Sequence, residues 1–353
     1  MPKNQSIKSM IHKFSFIEKM LLNSNIIPHP LVDTSTNVGL AKALGVSVKL
    51  KITDELGENP KSASSIAKNC GVSEKGVVLV LNCLEALDYV SKSEAGYRFT
   101  RRGTKFLDKN SPNNFRNFIL YANWTFNSFT SLENTVKSGV NERTNLEQFG
   151  DYEWEIFSRA MIEIARTNVH DVVKKIEIPP NAKQVIDLGG SHGLYSIELC
   201  RKKQDLTAIV LDFEPVRKYT DECVKANQMA DRVKFQECDF RKQALPTNSD
   251  IALMFNIIHG LQAEENKKVF SKVFDVLNEG GQLVILDQIK GTAGGSQLAR
   301  ATTSFMALNL FHQANGNTYY FEEVKDWALK AGFKSAKLKK LKTPGFALII
   351  CKK

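Results

Sequence analysis

The sequence predicts an α/β protein: an open, mostly parallel sheet wound with helices on both faces, joined to a smaller and mostly helical N-terminal domain. Three observations carry this. Five short apolar runs between Gln184 and Asp287 each lead into polar residues and are separated by helix-like spacings. The first run is followed at once by a glycine-rich turn. The chain, at 353 residues, is longer than one ordinary domain, and 42% hydrophobic residues supply material for two cores.

The first run, Gln184 to Leu188, is short and apolar enough for a strand covered on both faces. It continues as Asp187-Leu188-Gly189-Gly190-Ser191-His192-Gly193. The glycines permit a sharp turn and a close approach to the backbone. From Leu194 the spacing Leu194, Ile197, Cys200 is helical, so the turn presents a helix N-terminus. Such glycines also serve purely steric junctions, and the later runs are what point to a nucleoside-bearing cofactor. The second run, Thr207 to Leu211, ends in Asp212, where doubly wound sheets set an acid against ribose hydroxyls. The third, Arg232 to Gln236, leads into Glu237-Cys238-Asp239-Phe240, a carboxylate for an exocyclic amine and a ring for a purine face. The fourth, Ile251 to Phe255, leads into Asn256-Ile257-Ile258-His259, and the fifth, Gly281 to Leu286, ends at Asp287. The turn lacks the Gly-x-Gly-x-x-Gly dinucleotide fingerprint. Two last strands, Ala336 to Leu341 and Phe346 to Cys351, joined by Lys342-Thr343-Pro344-Gly345, form a terminal hairpin.

Taken together, these motifs resemble the small-molecule S-adenosylmethionine-dependent O-methyltransferases, the group of plant caffeate and hydroxyindole O-methyltransferases and their bacterial branch. The family pattern of Asp-x-Gly-Gly-Gly-x-Gly, an acid after strand two, Asp-Phe after strand three and a histidine after strand four stands here as Asp187 to Gly193, Asp212, Asp239-Phe240 and His259. Gly280-Gly281 before strand five and Ala331-Gly332-Phe333 near the end also match, so the likeness spans residues 30 to 353. It implies a class I methyltransferase, Rossmann-like seven-stranded sheet with an N-terminal winged-helix dimerisation domain. The implied division is 1–110 for the N-terminal helices and winged helix, 111–179 for a helical connector lining the acceptor pocket, and 180–353 for the cofactor domain. S-adenosylmethionine, with S-adenosylhomocysteine as product, would be held by Asp187, Gly189, Gly190, Gly193, Asp212, Phe213, Asp239, Phe240 and Asn256.

Methyl transfer to a hydroxyl needs alignment with the sulfonium methyl and a base for the departing proton. His259 follows a central strand beside the expected cofactor and is the candidate base; capping the strand is its alternative role. Asp287, at the end of the adjacent strand, is placed to hold the imidazole tautomer, and the family carries an acid there. Residues 113–163 are rich in aromatics, a stripe that serves a core or dimer interface as readily as a ligand wall. Phe157-Ser158-Arg159-Ala160-Met161 matches the family's Phe-x-x-x-Met acceptor contact, and Pro179-Pro180 ends the helical run. Asn309, His312 and Gln313 either orient a polar acceptor or form the hydrophilic face of a helix. Three departures stand out: Gly260 where Asp commonly follows the base, Ser191 for a third glycine, and no carboxylate at Asn317-Thr318, where the plant enzymes have a second acid. The acceptor is therefore expected to be a small hydroxylated metabolite, aromatic or polyketide-like, other than a plant phenylpropanoid.

Ser62 and Ser73 are predicted to cap two short helices, the second with Val77, Val80, Leu81, Leu84 and Leu87 on one face. Tyr89-Val90 and Tyr97-Arg98-Phe99 flank a turn and read as a wing. This is helix-turn-helix architecture, but Glu74, Lys75, Glu85 and Asp88 on the second helix suit phosphate poorly, so nucleic acid is disfavoured; the family resemblance implies instead that this domain pairs two subunits as a homodimer. The net charge of +10 fits the same view, since the last 21 residues hold seven lysines and no acid, a pattern that blocks edge pairing. The six cysteines have no metal-ligand spacing, and neither a metal nor a disulfide framework is expected. No apolar run reaches the ~20 residues of a membrane span and the first residues lack a signal-peptide layout, so a cytoplasmic location is expected. Two other readings stay open: the same cofactor with methylation at nitrogen or carbon or non-methylating chemistry, and a ligand-sensing winged-helix regulator.

Overall fold

The structure is a computed structural model that describes residues 28–141, 149–292, 297–343 and 345–353, with Met20, Ser24 and Gly294 besides. The helices expected ahead of residue 28 and Pro344 of the hairpin turn otherwise lie outside the described residues. The chain divides into two compact units between Asn127 and Ser128.

The first unit holds α1 (Asn37–Lys49), α2 (Ala63–Cys70), α3 (Glu74–Ala86), the hairpin β1 (Val90–Ser93) and β2 (Gly96–Phe99), α4 (Arg101–Phe106) and α5 (Arg116–Ser128). The two serine caps form as expected: Ser62 Oγ accepts from the Ser65 N–H at 3.2 Å and Ser73 Oγ from that of Gly76 at 3.4 Å. Val77, Leu81 and Leu84 of α3 are fully buried against Ile66, Tyr97 and Phe99, each aliphatic side chain contributing about 1.5–3 kcal/mol. Lys61 exchanges backbone bonds with Tyr97 at 2.9 and 2.8 Å, adding a third edge to the wing.

The second unit begins with α6 (Leu132–Ser138), α7 (Asp151–Arg166) and α8 (Val169–Lys174). The α/β part then runs β3 (Gln184–Leu188), α9 (Leu194–Lys202), β4 (Thr207–Asp212), α10 (Arg217–Ala226), β5 (Val233–Glu237), β6 (Ser249–Phe255), α11 (Ala263–Val276) and β7 (Leu277–Lys290). It closes with α12 (Gln297–Ala314), β8 (Tyr319–Tyr320), α13 (Phe321–Lys330), β9 (Ser335–Lys340) and β10 (Phe346–Lys352). Seven strands lie in the order β5-β4-β3-β6-β7-β10-β9, and the two-residue β8 joins the far end of β7. Pairing is parallel from β5 to β7 and antiparallel through β10 and β9.

The strands read as continuous apolar runs because helices cover both faces of the sheet. Val185, Leu253, Val284 and Leu348 point into one core with Ile162, Val172 and Tyr219. Their neighbours Ile186, Met254, Ile285 and Ile349 point into the other with Phe270, Val273 and Trp327. One expectation needs correction. The fifth strand does not stop before Asp287 but runs on to Lys290, because Gln288 pairs with Phe346 and Ile289 with Tyr319. Its parallel neighbour β6 has already ended, at the Phe255–Leu286 pair. Asp287 is thus held inside a strand while one flank is left open to the segment that follows β6.

Candidate active site

From β3 the chain moves outward to β4 and β5, then returns to β6 on the other side of β3. The carboxyl ends of β3 and β6 therefore send their connections to opposite faces and leave a crevice between them. The glycine turn lines it. Gly189 sits at φ 65° and donates its N–H to Leu211 O at 2.8 Å, and a Cβ there would overlap the Ile257 side chain. Gly190 lies so close to Asp187 that a Cβ would stand 2.5 Å from its Cγ. Gly193, at φ 67°, starts α9. We expect Gly189→Ala to lose about 1–2 kcal/mol of stability from the positive φ alone, read as a lowered denaturation midpoint.

Asp187 is buried, and its Oδ2 accepts from Ser196 Oγ at 2.7 Å. Burial pushes its carboxyl up to about 7, against the Ser196 bond and with a further push from Asp212. Asp212 bridges the tip of β4 to the turn, accepting from the Phe213 N–H at 2.8 Å and the Ser191 N–H at 2.9 Å; burial nonetheless raises it to about 6. Phe213 packs against Trp154 of α7 at 6.5 Å between ring centroids. Asp239 is clamped by Arg241, and the Phe240 ring lies beside Gly189.

Across the crevice, Asn256 leaves β6 at φ 58° and donates its N–H to Leu286 O at 2.7 Å. The short helical turn that follows, Ile258–Gly260, carries His259. His259 Nδ1 lies 2.6 Å from Asp287 Oδ1, which also accepts from the Gln288 N–H at 2.7 Å. Asp287 is fully buried, whereas the His259 side chain keeps 17% of its surface. A carboxylate only accepts, so the imidazole proton sits on Nδ1 and the Nε2 lone pair is left as a base. The turn is fixed from below by Asn266, whose Nδ2 donates to Ile258 O at 2.9 Å and Leu261 O at 3.3 Å, and from above by Asn317 N–H on His259 O at 2.8 Å.

A family profile described as an O-methyltransferase domain matches residues 131–334, more than half of the chain. The chain belongs to the O-methyltransferase family. Among its curated relatives, a 3-hydroxy-5-methyl-1-naphthoate 3-O-methyltransferase of Streptomyces sahachiroi is 21% identical over 90% of this methyltransferase and 93% of its own length. Acetylserotonin O-methyltransferase of Bos taurus is 23% identical over 85% and 91%. The crystal structure of human N-acetylserotonin methyltransferase in complex with SAM superposes with a TM-score of 0.80, at 19% identity, over 97% of this chain and 99% of that one.

As a member of that family the methyltransferase uses S-adenosylmethionine, and its glycine turn has unmet polar groups suited to that molecule. Asp187 Oδ1 and Ser191 Oγ are buried without a hydrogen-bond partner, an acceptor and a hydroxyl beside the turn where an ammonium or ribose can bind. Of the sequence-predicted cofactor residues, Gly189 and Phe240 come together, since a Cβ on Gly189 would meet Ile257 and stand 3.7 Å from the Phe240 ring, whereas Gly193 faces Val210 and Thr220. The predicted acceptor residues divide. Phe157, on α7, packs edge-on to Trp154 at 6.2 Å, with Met161 one turn on and half-buried. Asn309 Oδ1, on α12, is buried without a partner. His312, however, is fully buried with Nδ1 2.9 Å from Thr135 Oγ1 and Nε2 2.9 Å from Ser128 O, while Gln313 donates to Ser128 Oγ. Sequence reasoning missed Ser196, Arg241 and Asn266, and it marked Asn317 only as a base-flanking position without a carboxylate. Only Ser196 left a trace, as a hydroxyl among the apolar positions of α9.

No described helix of the methyltransferase is long and apolar enough to cross a membrane.

Proposed function

We propose that this methyltransferase methylates a hydroxyl of a small aromatic or polyketide-like metabolite, with His259 as general base and Asp287 orienting it. The observation that carries this is the 2.6 Å His259–Asp287 bond, which sets the tautomer a base requires. The bound cofactor supplies an electrophilic sulfonium methyl. A phenol has a pKa of about 10 and is a poor nucleophile at neutral pH until its proton has a receiver. Nε2 of His259 takes that proton, and the buried Asp287 steadies the imidazolium. Phe157, Met161 and Asn309 form the acceptor wall, while His312 and Gln313 act on it by bracing α12. The named relatives act on a hydroxynaphthoate and on acetylserotonin, both aromatic and hydroxylated.

The enzyme works as a cytoplasmic homodimer paired through its first unit, whose Leu31 and Leu79 are 60% and 56% exposed. Light scattering should return twice the 39.6 kDa chain mass. The function itself is tested by a panel of hydroxylated aromatics and polyketides with isotopically labelled methyl donor. Product O-methyl ethers are expected. Labelled product bearing the methyl only at nitrogen or carbon would reject the hydroxyl assignment.

A further inference from the structure

Two residues after the acid that ends the third run, Arg241 makes the most elaborate polar contact in the crevice. Its Nε donates to Asp239 Oδ1 at 2.8 Å, its Nη2 to Oδ2 at 2.9 Å, and its backbone N–H to Oδ1 at 3.1 Å. The same guanidinium lies 5.7 Å from the centroid of the Phe213 ring, so one side chain ties the tip of β5 to the tip of β4. Burial pushes the Asp239 carboxyl up, but the Arg241 contacts outweigh it and hold the group below the ordinary carboxylate range. A carboxylate offers about four acceptor positions. Three are filled by Arg241, and the fourth, on Oδ2, meets among the described residues the Lys242 ammonium at 3.5 Å, whose side chain is 73% exposed. A loosely held, solvated lysine is readily displaced.

We propose that Arg241 is a specificity-determining residue of the cofactor site: its fork fixes the Asp239 carboxylate so that one oriented acceptor remains, fitted to the exocyclic amine of adenine. This rests on Asp239 being the group that meets adenine. An amine donates to that acceptor; a 6-oxo purine places an oxygen against it and leaves two acceptors facing each other, a mismatch that discriminates strongly because neither is satisfied. Lysine would not replace arginine, because a point charge lacks the planar fork that sets the carboxylate's plane.

The test is calorimetric binding of S-adenosylhomocysteine and S-inosylhomocysteine to the full-length protein, its Arg241→Ala and Arg241→Lys variants, and Asp239→Asn. The readout is the ratio of the two affinities in one preparation, so any loss of folded protein cancels. The wild type should prefer the adenosyl compound, and both Arg241 variants should lose about tenfold or more of that preference, chiefly through weaker adenosyl binding. Full preference retained in Arg241→Ala, or tighter adenosyl binding there because arginine had been a competitor, would overturn the proposal. Asp239→Asn separates the two layers. If it keeps the preference, Asp239 does not read the amine; if it loses the preference while Arg241→Ala keeps it, only the role of Arg241 fails.

Discussion

Replacing His259 by alanine is expected to lower methyl transfer by about 10²-fold or more while S-adenosylhomocysteine binds with nearly unchanged affinity. The separation follows from the architecture. His259 stands on the turn after β6, and its bonds run to Asp287 and Asn317, whereas the acids and glycines on the cofactor side belong to the turns after β3, β4 and β5. Raising the pH toward the phenol's own pKa of about 10 should recover part of the lost rate, since the acceptor then ionises without help. Asp287→Asn should be similarly damaging by another route. The amide can donate to Nδ1, which moves the imidazole proton to Nε2 and removes the lone pair that receives the substrate proton. Undiminished turnover in His259→Ala would discard the base assignment, and a parallel collapse of cofactor affinity would recast His259 as a structural cap.

Substituting Asp187 by asparagine should make the cofactor-free protein progressively more stable, relative to wild type, as pH rises from 4 to 8. Asp187 is raised from 3.8 to about 7 by burial. A carboxyl raised in the folded state contributes stability that is complete below its unfolded value and is lost as pH climbs through the folded one. Across this window the loss amounts to about 4 kcal/mol, with asparagine exempt from it. Other groups slope differently: Asp212, raised to about 6, shares the sign, while His192, lowered to about 4 by burial and Arg166, gains stability with pH up to 6.5. Both remain in the variant, so the difference between the two proteins reports Asp187 together with its coupling to Asp212. Denaturant unfolding at pH 4.5 and pH 8 measures it, and parallel curves would mean the carboxyl titrates normally. The variant should also bind S-adenosylhomocysteine more weakly at pH 8, where the wild-type carboxylate can meet the ligand's ammonium.

The sheet was legible because burial on both faces writes strands as unbroken apolar runs, and the serine caps of α2 and α3 were legible because a cap is a local transaction within four residues. The length of β7 was not, since Gln288 to Lys290 are held by Phe346 and β8, partners distant in sequence. The same divide runs through the site. Asp187 and Asp212 stand at the ends of strands and Asp239 and His259 just beyond them, so all four could be placed from the apolar runs. Asn266 fixes the His259 turn from α11, so its spacing carried no signal, while Asn317, marked only for lacking a carboxylate, fixes it through a backbone N–H that residue type does not announce. His312 shows the opposite hazard: a histidine on a helix with polar neighbours suggested a ligand contact, yet both ring nitrogens are taken up inside the unit.

Asp287 sits within a strand that hydrogen-bonds to neighbours along its length, and it in turn grips His259, whereas Phe157, Met161 and Asn309 ride on helices. On the proposed assignment, proton removal and acceptor recognition are therefore inherited through separable pieces of the chain. Helical surfaces can accumulate substitutions and drift toward new metabolites while the reaction performed on them stays the same. Descendants of such a protein would diversify in what they modify long before they diversify in how.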